Sequence, residues 1–150
     1  MPLTAIVLAA GEGTRMKSHH PKIVHKLLDK PLVWWSVNAA ITAGADRVIV
    51  VVGNHADEVK SALSCFPNLE YVAQTERLGT GHAVKVVKDA LGGFKGPVVV
   101  INGDASLLRA QSILDLVAET KAHHNACTVL TMTPPDPTGY GRVISSNGQV

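Results

Sequence analysis

A glycine-rich segment with a basic residue follows the first apolar run of the chain and is its most informative motif. It comprises the end of the run and the loop after it: Leu8, Ala9, Ala10, Gly11, Gly13, Thr14 and Arg15. Glycines can adopt positive φ and bring bare backbone N–H groups close to phosphate oxygens, and an arginine adds a planar charged fork. Open α/β sheets bind ligands at the carboxyl ends of their strands. The motif therefore predicts a loop that binds the phosphates of a nucleotide.

Two known phosphate loops resemble residues 11–18 without matching them. The P-loop, GxxxxGK[ST], agrees everywhere except at Met16, where it requires glycine, and the Rossmann pattern GxGxxG needs glycine at the same position. A methionine there prevents the close backbone approach by which a P-loop wraps a β-phosphate. A bare GxG is also compatible with a simple bend between strand and loop. A P-loop-like NTPase stays an alternative, and it would depend on Lys17.

Basic side chains are concentrated in the segment that follows this loop. They are Arg15, Lys17, Lys22, Lys26 and Lys30, opposed by the single acid Asp29. A local excess of positive charge favours a small anionic ligand, although a solvated basic face is the simpler alternative.

Two later segments carry polar side chains directly after apolar runs. Asp104 follows an aliphatic run and a glycine, so its carboxylate is expected at the carboxyl end of a strand, suited to holding Mg²⁺ against phosphates. The same Asn-Gly-Asp sequence is also a good turn. Gln74 can offer a donor and an acceptor to the edge of a base, with Gly79 allowing close backbone approach. Thr80 is expected either to contact the nucleotide or to cap a helix.

Four motifs in one order make the chain resemble a known family. They are GxGTRM with PKxxH at residues 11–25, QTERLGTGHA at 74–83, NGD at 102–104 and PTGYGR at 137–142. This combination resembles the sugar-nucleotide pyrophosphorylases, in particular the uridylyltransferase domain of the bifunctional N-acetylglucosamine-1-phosphate enzymes. The resemblance runs from Ala5 to the last residue.

The resemblance implies a nucleotidyltransferase that forms UDP-N-acetylglucosamine and pyrophosphate from UTP and N-acetylglucosamine 1-phosphate, with Mg²⁺. It implies that Arg15 and Lys22 hold the triphosphate, with Lys22 also near the sugar phosphate. Asp104 would bind the metal, and Gly141 would lie in the sugar-side loop. An ionised phosphate oxygen would attack the α-phosphorus, so no general base is needed. The choice between uridine and thymidine and the identity of the sugar stay open.

The chain also departs from the family pattern. The family usually has proline where Ser106 stands and glutamine where Arg77 stands. It supplies a glutamate and two asparagines for sugar and metal from positions that follow Val150, and a trimerising β-helix domain that is absent here. We therefore expect one truncated nucleotidyltransferase domain, and a fragment that binds nucleotide without turnover is the second hypothesis.

Strand-like and helix-like segments alternate along the chain, as in βαβ units whose strands are covered on both faces. The predicted strands are Ala5–Ala10, Val48–Val52, Leu69–Ala73, Val98–Ile101 and Thr128–Met132. The predicted helices are Leu32–Ala43, Ala56–Leu63, Gly81–Leu91 and Ser112–His123. Together they predict a Rossmann-like three-layer α/β sandwich with a mainly parallel sheet. A last strand, Gly141–Ser145, is expected before a hairpin turn at Asn147–Gly148, and its missing partner again predicts an incomplete domain.

Composition restricts the class of protein further. Apolar residues make up 46% and charged residues 17%, with a net charge of +2, which indicates a globular domain without the charge of a nucleic-acid binder. No apolar run approaches the roughly 18 residues of a membrane span, and no secretory signal is present. Cys65 and Cys127 lack metal-ligand spacing and are expected to be reduced thiols of a cytoplasmic protein.

Overall fold

The computed structural model describes residues 2–11, 13, 16, 18–76 and 78–144 of the 150-residue chain. Its strands are Thr4–Ala9 (β1), Lys26–Leu27 (β2), Lys30–Pro31 (β3), Arg47–Val52 (β4), Leu69–Ala73 (β5) and Val98–Asn102 (β6). Its α-helices are Leu32–Thr42 (α1), Ala56–Ala62 (α2), Thr80–Lys85 (α3), Lys88–Leu91 (α4) and Ala110–Ala122 (α5), and a 3₁₀ turn spans Lys22–Val24. Strands β2 and β3 pair with each other as a small antiparallel hairpin.

The main sheet is parallel and has the order β5-β4-β1-β6. Strand β1 lies inside it, with Thr4 opposite Arg47 of β4 on one side and Val98 of β6 on the other. The chain proceeds from β1 to β4 and β5 in one direction and then returns to β6 on the opposite side of β1. Helices connect these strands, so the predicted three-layer α/β fold with a parallel sheet is confirmed.

Alternation along β1 divides the core into two clusters, one on each face of the sheet. On one face, Ala5, Val7 and Ala9 pack with residues from α1, α2 and α5. On the other face, Ile6 packs with residues from α3 and the turn after it, including the fully buried Val87. Both faces of β1 are therefore covered, which explains why its sequence is continuously apolar.

The predicted helices exist, but one of them is divided. The segment predicted as a single helix, Gly81–Leu91, forms α3 and α4 with a tighter turn between them. In that turn the N–H of Val87 donates to the carbonyl of Val84, three residues back, at 3.1 Å. The α-helical spacing is lost there because the chain tightens locally, while Val87 stays buried against the sheet.

The strand predictions after α5 are wrong where the structure describes the chain. Residues 128–132 and 141–144 have no strand pairing, and Val129, Leu130 and Met132 are exposed. β-branched composition reports only that a segment fits a pleated, half-buried surface, and a strand also needs a partner edge. Within the described residues this segment pairs with neither edge of the main sheet. Ser145, the Asn147–Gly148 turn and Val150 lie outside the described residues.

The apolar elements are short. The longest helix in the described part of the chain, α5, has 13 residues and one fully buried side chain. No described helix has the length and apolar character needed to cross a membrane. Both cysteines are free and exposed.

Candidate functional site

A crevice of about 800 Å³ opens at the carboxyl ends of β1 and β6. It lies where the chain order in the sheet reverses, because β4 and β5 extend the sheet from β1 on one side and β6 on the other. Open parallel sheets bind ligands at such a switch point. The described residues that line it are Leu8, Ala10, Gly11, Gly13, Met16, Lys22, Ile23, Gln74, Gly79, Thr80, Ala83, Asn102, Gly103 and Asp104.

Gly13 brings the loop after β1 against Lys22. Its φ is +64°, in the left-handed region, and a Cβ at this position would collide with the Cβ of Lys22. Only glycine meets both conditions without strain. Gly11 differs, because its φ is not in that region and a Cβ there would meet nothing within 4 Å. The expectation of positive φ thus applies to Gly13 and not to Gly11.

Asp104 is positioned by a continuation of the β1–β6 pairing beyond the strands. The N–H of Gly103 donates to the carbonyl of Leu8 at 2.9 Å. A Cβ on Gly103 would lie 2.7 Å from that same oxygen, so a side chain there would force the strands apart. Glycine at this position allows β6 to continue beside β1 and to place the next residue, Asp104, in the crevice.

Lys22 and Asp104 form an ion pair across the crevice, with Nζ 2.8 Å from Oδ2. Among the described lining residues, Lys22 is the one basic side chain and Asp104 the one acidic side chain. Both are well hydrated, at 44% and 40% side-chain exposure, so the pair contributes little to stability. Its significance is that one cation and one carboxylate lie together at the switch point of the sheet.

The carboxylate of Asp104 fits a divalent cation that phosphates also coordinate. Among the described residues, no group of three or more His, Cys, Asp or Glu side chains could hold a metal ion by itself. Mg²⁺ commonly binds through one or two carboxylates and completes its shell with substrate phosphates and water. Asp104 is half-exposed, faces the crevice and can supply such a ligand.

Gln74 lies on the opposite side of the crevice and is 6% exposed. Its N–H donates to the carbonyl of Val52 at 2.8 Å, which continues the β4–β5 pairing by one residue. Its side-chain nitrogen lies 3.2 Å from the carbonyl of Gly79 and 3.1 Å from Nδ1 of His82. The predicted base-binding glutamine is therefore buried and held by neighbours from the start of α3.

Thr80 does not cap helix α3, which was one of its two expected roles. Gly79, with φ of 92°, occupies the N-cap position of α3, and Thr80 is the first helical residue. No side chain caps this helix. Thr80 lines the crevice, in agreement with the other expected role.

The predicted site residues are only partly brought together. Leu8, Ala10, Gly11 and the six predicted residues discussed above line the crevice: Gly13, Lys22, Gln74, Gly79, Thr80 and Asp104. Ala9 packs in the core on the opposite face of β1 and does not line the crevice. Gly141 is exposed and does not line it. Thr14 and Arg15 lie outside the described residues.

Several residues of the site were not singled out from the sequence. Met16, Ile23 and Ala83 line the crevice, and His82 contacts Gln74 behind that lining. Ala83 lies at apolar helical spacing, which indicates core packing rather than a site. His82 belongs to the motif at residues 74–83 but had no role assigned to it, and only the fold places it against Gln74.

Two histidines contact the same glutamate of helix α2, one from the segment before Lys22 and one from the N-cap of the helix. His20 and His55 each approach Glu58 through Nδ1, at 2.7 and 2.8 Å. These hydrogen bonds hold the pKa of the Glu58 carboxyl below its usual range, and the bond from His20 has the larger effect. His20 is thus an exposed residue with a structural contact, and among the described residues it belongs to no metal cluster.

Most of the chain matches the sequences of known proteins. Residues 5–144 match the model of the MobA-like NTP transferase domain. A 144-residue stretch is 45% identical to the bifunctional protein GlmU of Cyanothece sp. (strain PCC 7425 / ATCC 29141), covering 96% of this chain and 32% of that protein. The chain thus spans about a third of the length of the curated relatives it matches.

Solved structures share the fold. UDP-glucose pyrophosphorylase complexed with UDP-glucose superimposes with a TM-score of 0.66 at 24% identity, covering 83% of this chain and 55% of that one. The manganese complex of Rv0371c from Mycobacterium tuberculosis H37Rv gives a TM-score of 0.67 at 20% identity, covering 81% and 61%. At these identities the likeness extends to the architecture alone.

Proposed function

The chain belongs to the MobA-like NTP transferase domain family and carries a nucleotidyltransferase domain, and from this we propose that it serves the synthesis of UDP-N-acetylglucosamine. The substrates are UTP and N-acetylglucosamine 1-phosphate, and the products are the nucleotide sugar and pyrophosphate. One observation carries the proposal: Lys22 and Asp104 meet at the β1–β6 switch point. The crevice that they share extends to Gln74.

The chemistry requires neutralised charge and alignment rather than a general base. A phosphate oxygen of the sugar 1-phosphate, already ionised, forms a bond to the α-phosphorus of UTP. The bond from that phosphorus to the oxygen that bridges it to the β-phosphate breaks, and pyrophosphate leaves with the electron pair. Phosphoryl-type transfer of this kind depends mainly on positioning and electrostatic stabilisation.

The described residues divide these tasks between the two sides of the crevice. Lys22 neutralises phosphate charge, and Asp104 holds Mg²⁺. When bound, the cation withdraws charge from the phosphate oxygens and orients them. Asp104 would hold the cation, and Lys22, whose Nζ lies 2.8 Å from Oδ2 of Asp104, lies close enough to the same place to contact the phosphates. Gln74, Gly79 and Thr80 take the base and ribose side.

Two assignments depend on the family resemblance alone. Arg15 is proposed as a second cation for the triphosphate, and Gly141 as part of the sugar-side loop. In the longer relatives, the matched segment is about a third of the protein, so we propose that this chain supplies the nucleotide-binding part of the transferase domain. A cytoplasmic location agrees with a nucleotide-sugar pathway and with two free thiols.

Two other functions are separable by experiment. A fragment that only binds nucleotide would bind UTP and release no pyrophosphate. A P-loop-like NTPase would hydrolyse nucleotide without any sugar phosphate. Among residues 18–31, which are described, no α-helix follows the glycine-rich loop, whereas a P-loop opens directly into one. This observation favours the transferase.

Pyrophosphate release tests the proposal. The assay contains UTP, Mg²⁺ and N-acetylglucosamine 1-phosphate, with glucose 1-phosphate as a comparison sugar. It uses the chain itself and a chimera in which the chain replaces the matching segment of the Cyanothece relative. Release that requires both substrates supports the proposal. Release without the sugar phosphate supports the NTPase, and UTP binding without release from either protein supports the binding fragment.

A further inference from the structure

The side-chain amide of Gln74 has a defined orientation. Its nitrogen, Nε2, lies 3.2 Å from the carbonyl oxygen of Gly79 and 3.1 Å from Nδ1 of His82. A backbone carbonyl can only accept a hydrogen bond, so the amide atom opposite Gly79 must be the N–H-bearing nitrogen. The same nitrogen donates its second hydrogen to Nδ1 of His82. A neutral His82 ring therefore carries its proton on Nε2.

Both amide hydrogens of Gln74 are thus used within the protein. The described residues donate no hydrogen bond to the carbonyl oxygen, Oε1, so among them Oε1 is the part of the amide that remains for a ligand in the crevice. Rotating the amide by half a turn would bring Oε1 against the carbonyl oxygen of Gly79, and His82 would have to move its proton from Nε2 to Nδ1 to donate to that oxygen. Gln74 is 6% exposed, so water cannot compensate for that repulsion. Gln74 therefore presents an acceptor and no donor.

We propose that His82 is a positioning residue that selects the base through Gln74. The inference rests on the proposed function, because it requires the base of the nucleotide to lie against Gln74. Uracil and thymine carry a donor, N3–H, which an acceptor recognises. Cytosine in the same position has an acceptor at N3, which Oε1 repels, and its donor, the N4 amino group, lies one position away on the ring. His82 does not line the crevice, and together with the carbonyl of Gly79 it holds the amide with both donors turned away from the base.

Two substitutions of His82 separate positioning from simple packing. His82→Leu removes the acceptor, whereas His82→Asn places an amide oxygen near the position of Nδ1. Affinities for UTP and CTP are measured by titration calorimetry with Mg²⁺. The UTP preference should fall about tenfold in His82→Leu, in line with the cost of a mismatched hydrogen bond, and should be retained in His82→Asn. Equal weakening of both nucleotides in His82→Leu would assign His82 a packing role and overturn the proposal.

A spectroscopic measurement on the unaltered chain determines the tautomer of His82, and with it the orientation of the Gln74 amide, independently of nucleotide binding. Long-range ¹H–¹⁵N correlation identifies the tautomer of His82, with the His82→Asn spectrum used for assignment. We expect the proton on Nε2 and both amide protons of Gln74 to exchange slowly. A proton on Nδ1 would overturn the inference even if UTP binds. If the tautomer is as expected and the protein binds neither nucleotide, the proposed function fails and the orientation of Gln74 stands.

Discussion

The two ends of the crevice are built from different interactions. The phosphate end contains an ion pair between half-exposed side chains, Lys22 and Asp104, which come from segments 82 positions apart in the chain. The base end contains a buried neutral amide, Gln74, held by Gly79 and His82 from the start of α3. Charged side chains that are exposed to water can exchange their partner for a ligand at little cost. A buried amide keeps the orientation that its hydrogen bonds give it before a ligand binds. The first end is suited to catalysis and the second to selection.

The largest expected effect comes from removing the cation at the phosphate end. Lys22→Ala should lower pyrophosphate release by about 10²–10³, because the charge of the transferring phosphate loses a fixed partner. Lys26→Ala, an exposed lysine of β2 outside the crevice, is the matched control and should leave the rate unchanged. Equal rates for Lys22→Ala and the unaltered protein would remove Lys22 from the site.

Removing the carboxylate charge at the same end should weaken metal binding more than it changes the preference between nucleotides. Asp104→Asn keeps the size of the side chain and removes its charge, so Mn²⁺ affinity measured by electron paramagnetic resonance with UTP should fall about 10-fold to 100-fold. Asp57→Asn, on the exposed side of α2, serves as control. Unaltered Mn²⁺ binding in Asp104→Asn would place the cation elsewhere.

Removing the amide at the base end should weaken nucleotide binding and leave metal binding unchanged. Gln74→Leu should weaken UTP binding by about tenfold, the cost of one lost hydrogen bond, while Mn²⁺ binding at Asp104 persists. Gln111→Leu, in an exposed position of α5, controls for the loss of an amide elsewhere. A loss of metal binding in Gln74→Leu would show that the two ends are not independent.

The smallest effect concerns β5, the strand that ends directly before Gln74. Arg47 of β4 donates to Glu70 of β5 at 2.6 Å, and this hydrogen bond lowers the pKa of the Glu70 carboxyl from its ordinary 4.5. Because the folded-state pKa is lowered, the stabilisation is present above the ordinary value and is lost as pH falls through the folded-state value. Glu70→Gln should reduce the free energy of unfolding by less than about 1 kcal/mol at neutral pH, since the pair is partly exposed.

Urea denaturation of the Glu70→Gln variant across pH measures this. The difference from the unaltered protein should shrink as the solution is made acidic, and Glu76→Gln, an exposed acid after β5, should show none. A difference that persists in acid would mean that Glu70 acts through packing rather than charge.

The sequence predicted the frame of the molecule because its two central strands, β1 and β4, are buried on both faces. Continuous apolar runs such as Val48–Val52 admit few other structures, and the glycine and charge pattern marked Gly13, Lys22 and Asp104 as site residues. These features are local, so they can be read along the chain. The helix Gly81–Leu91 had the right apolar face, but its division at Val87 depends on a local tightening that periodicity does not encode.

The remaining features depend on contacts between distant segments. That Lys22 lies against Asp104, and that the amide of Gln74 meets His82, follows only from the arrangement of the sheet and α3. The segment Thr128–Met132 failed as a strand for the same reason, because its β-forming composition has no partner edge among the described residues. Composition shows that a segment is able to form a strand, and the strand forms only where a partner strand is present.

A crystal structure with UTP and Mn²⁺ tests the central claim most directly. The anomalous signal of manganese should lie on Oδ of Asp104, with the ammonium of Lys22 moved from that carboxylate to the phosphates and uracil N3–H on Oε1 of Gln74. Manganese away from Asp104, with the Lys22–Asp104 pair intact and the base outside the crevice, would contradict the account.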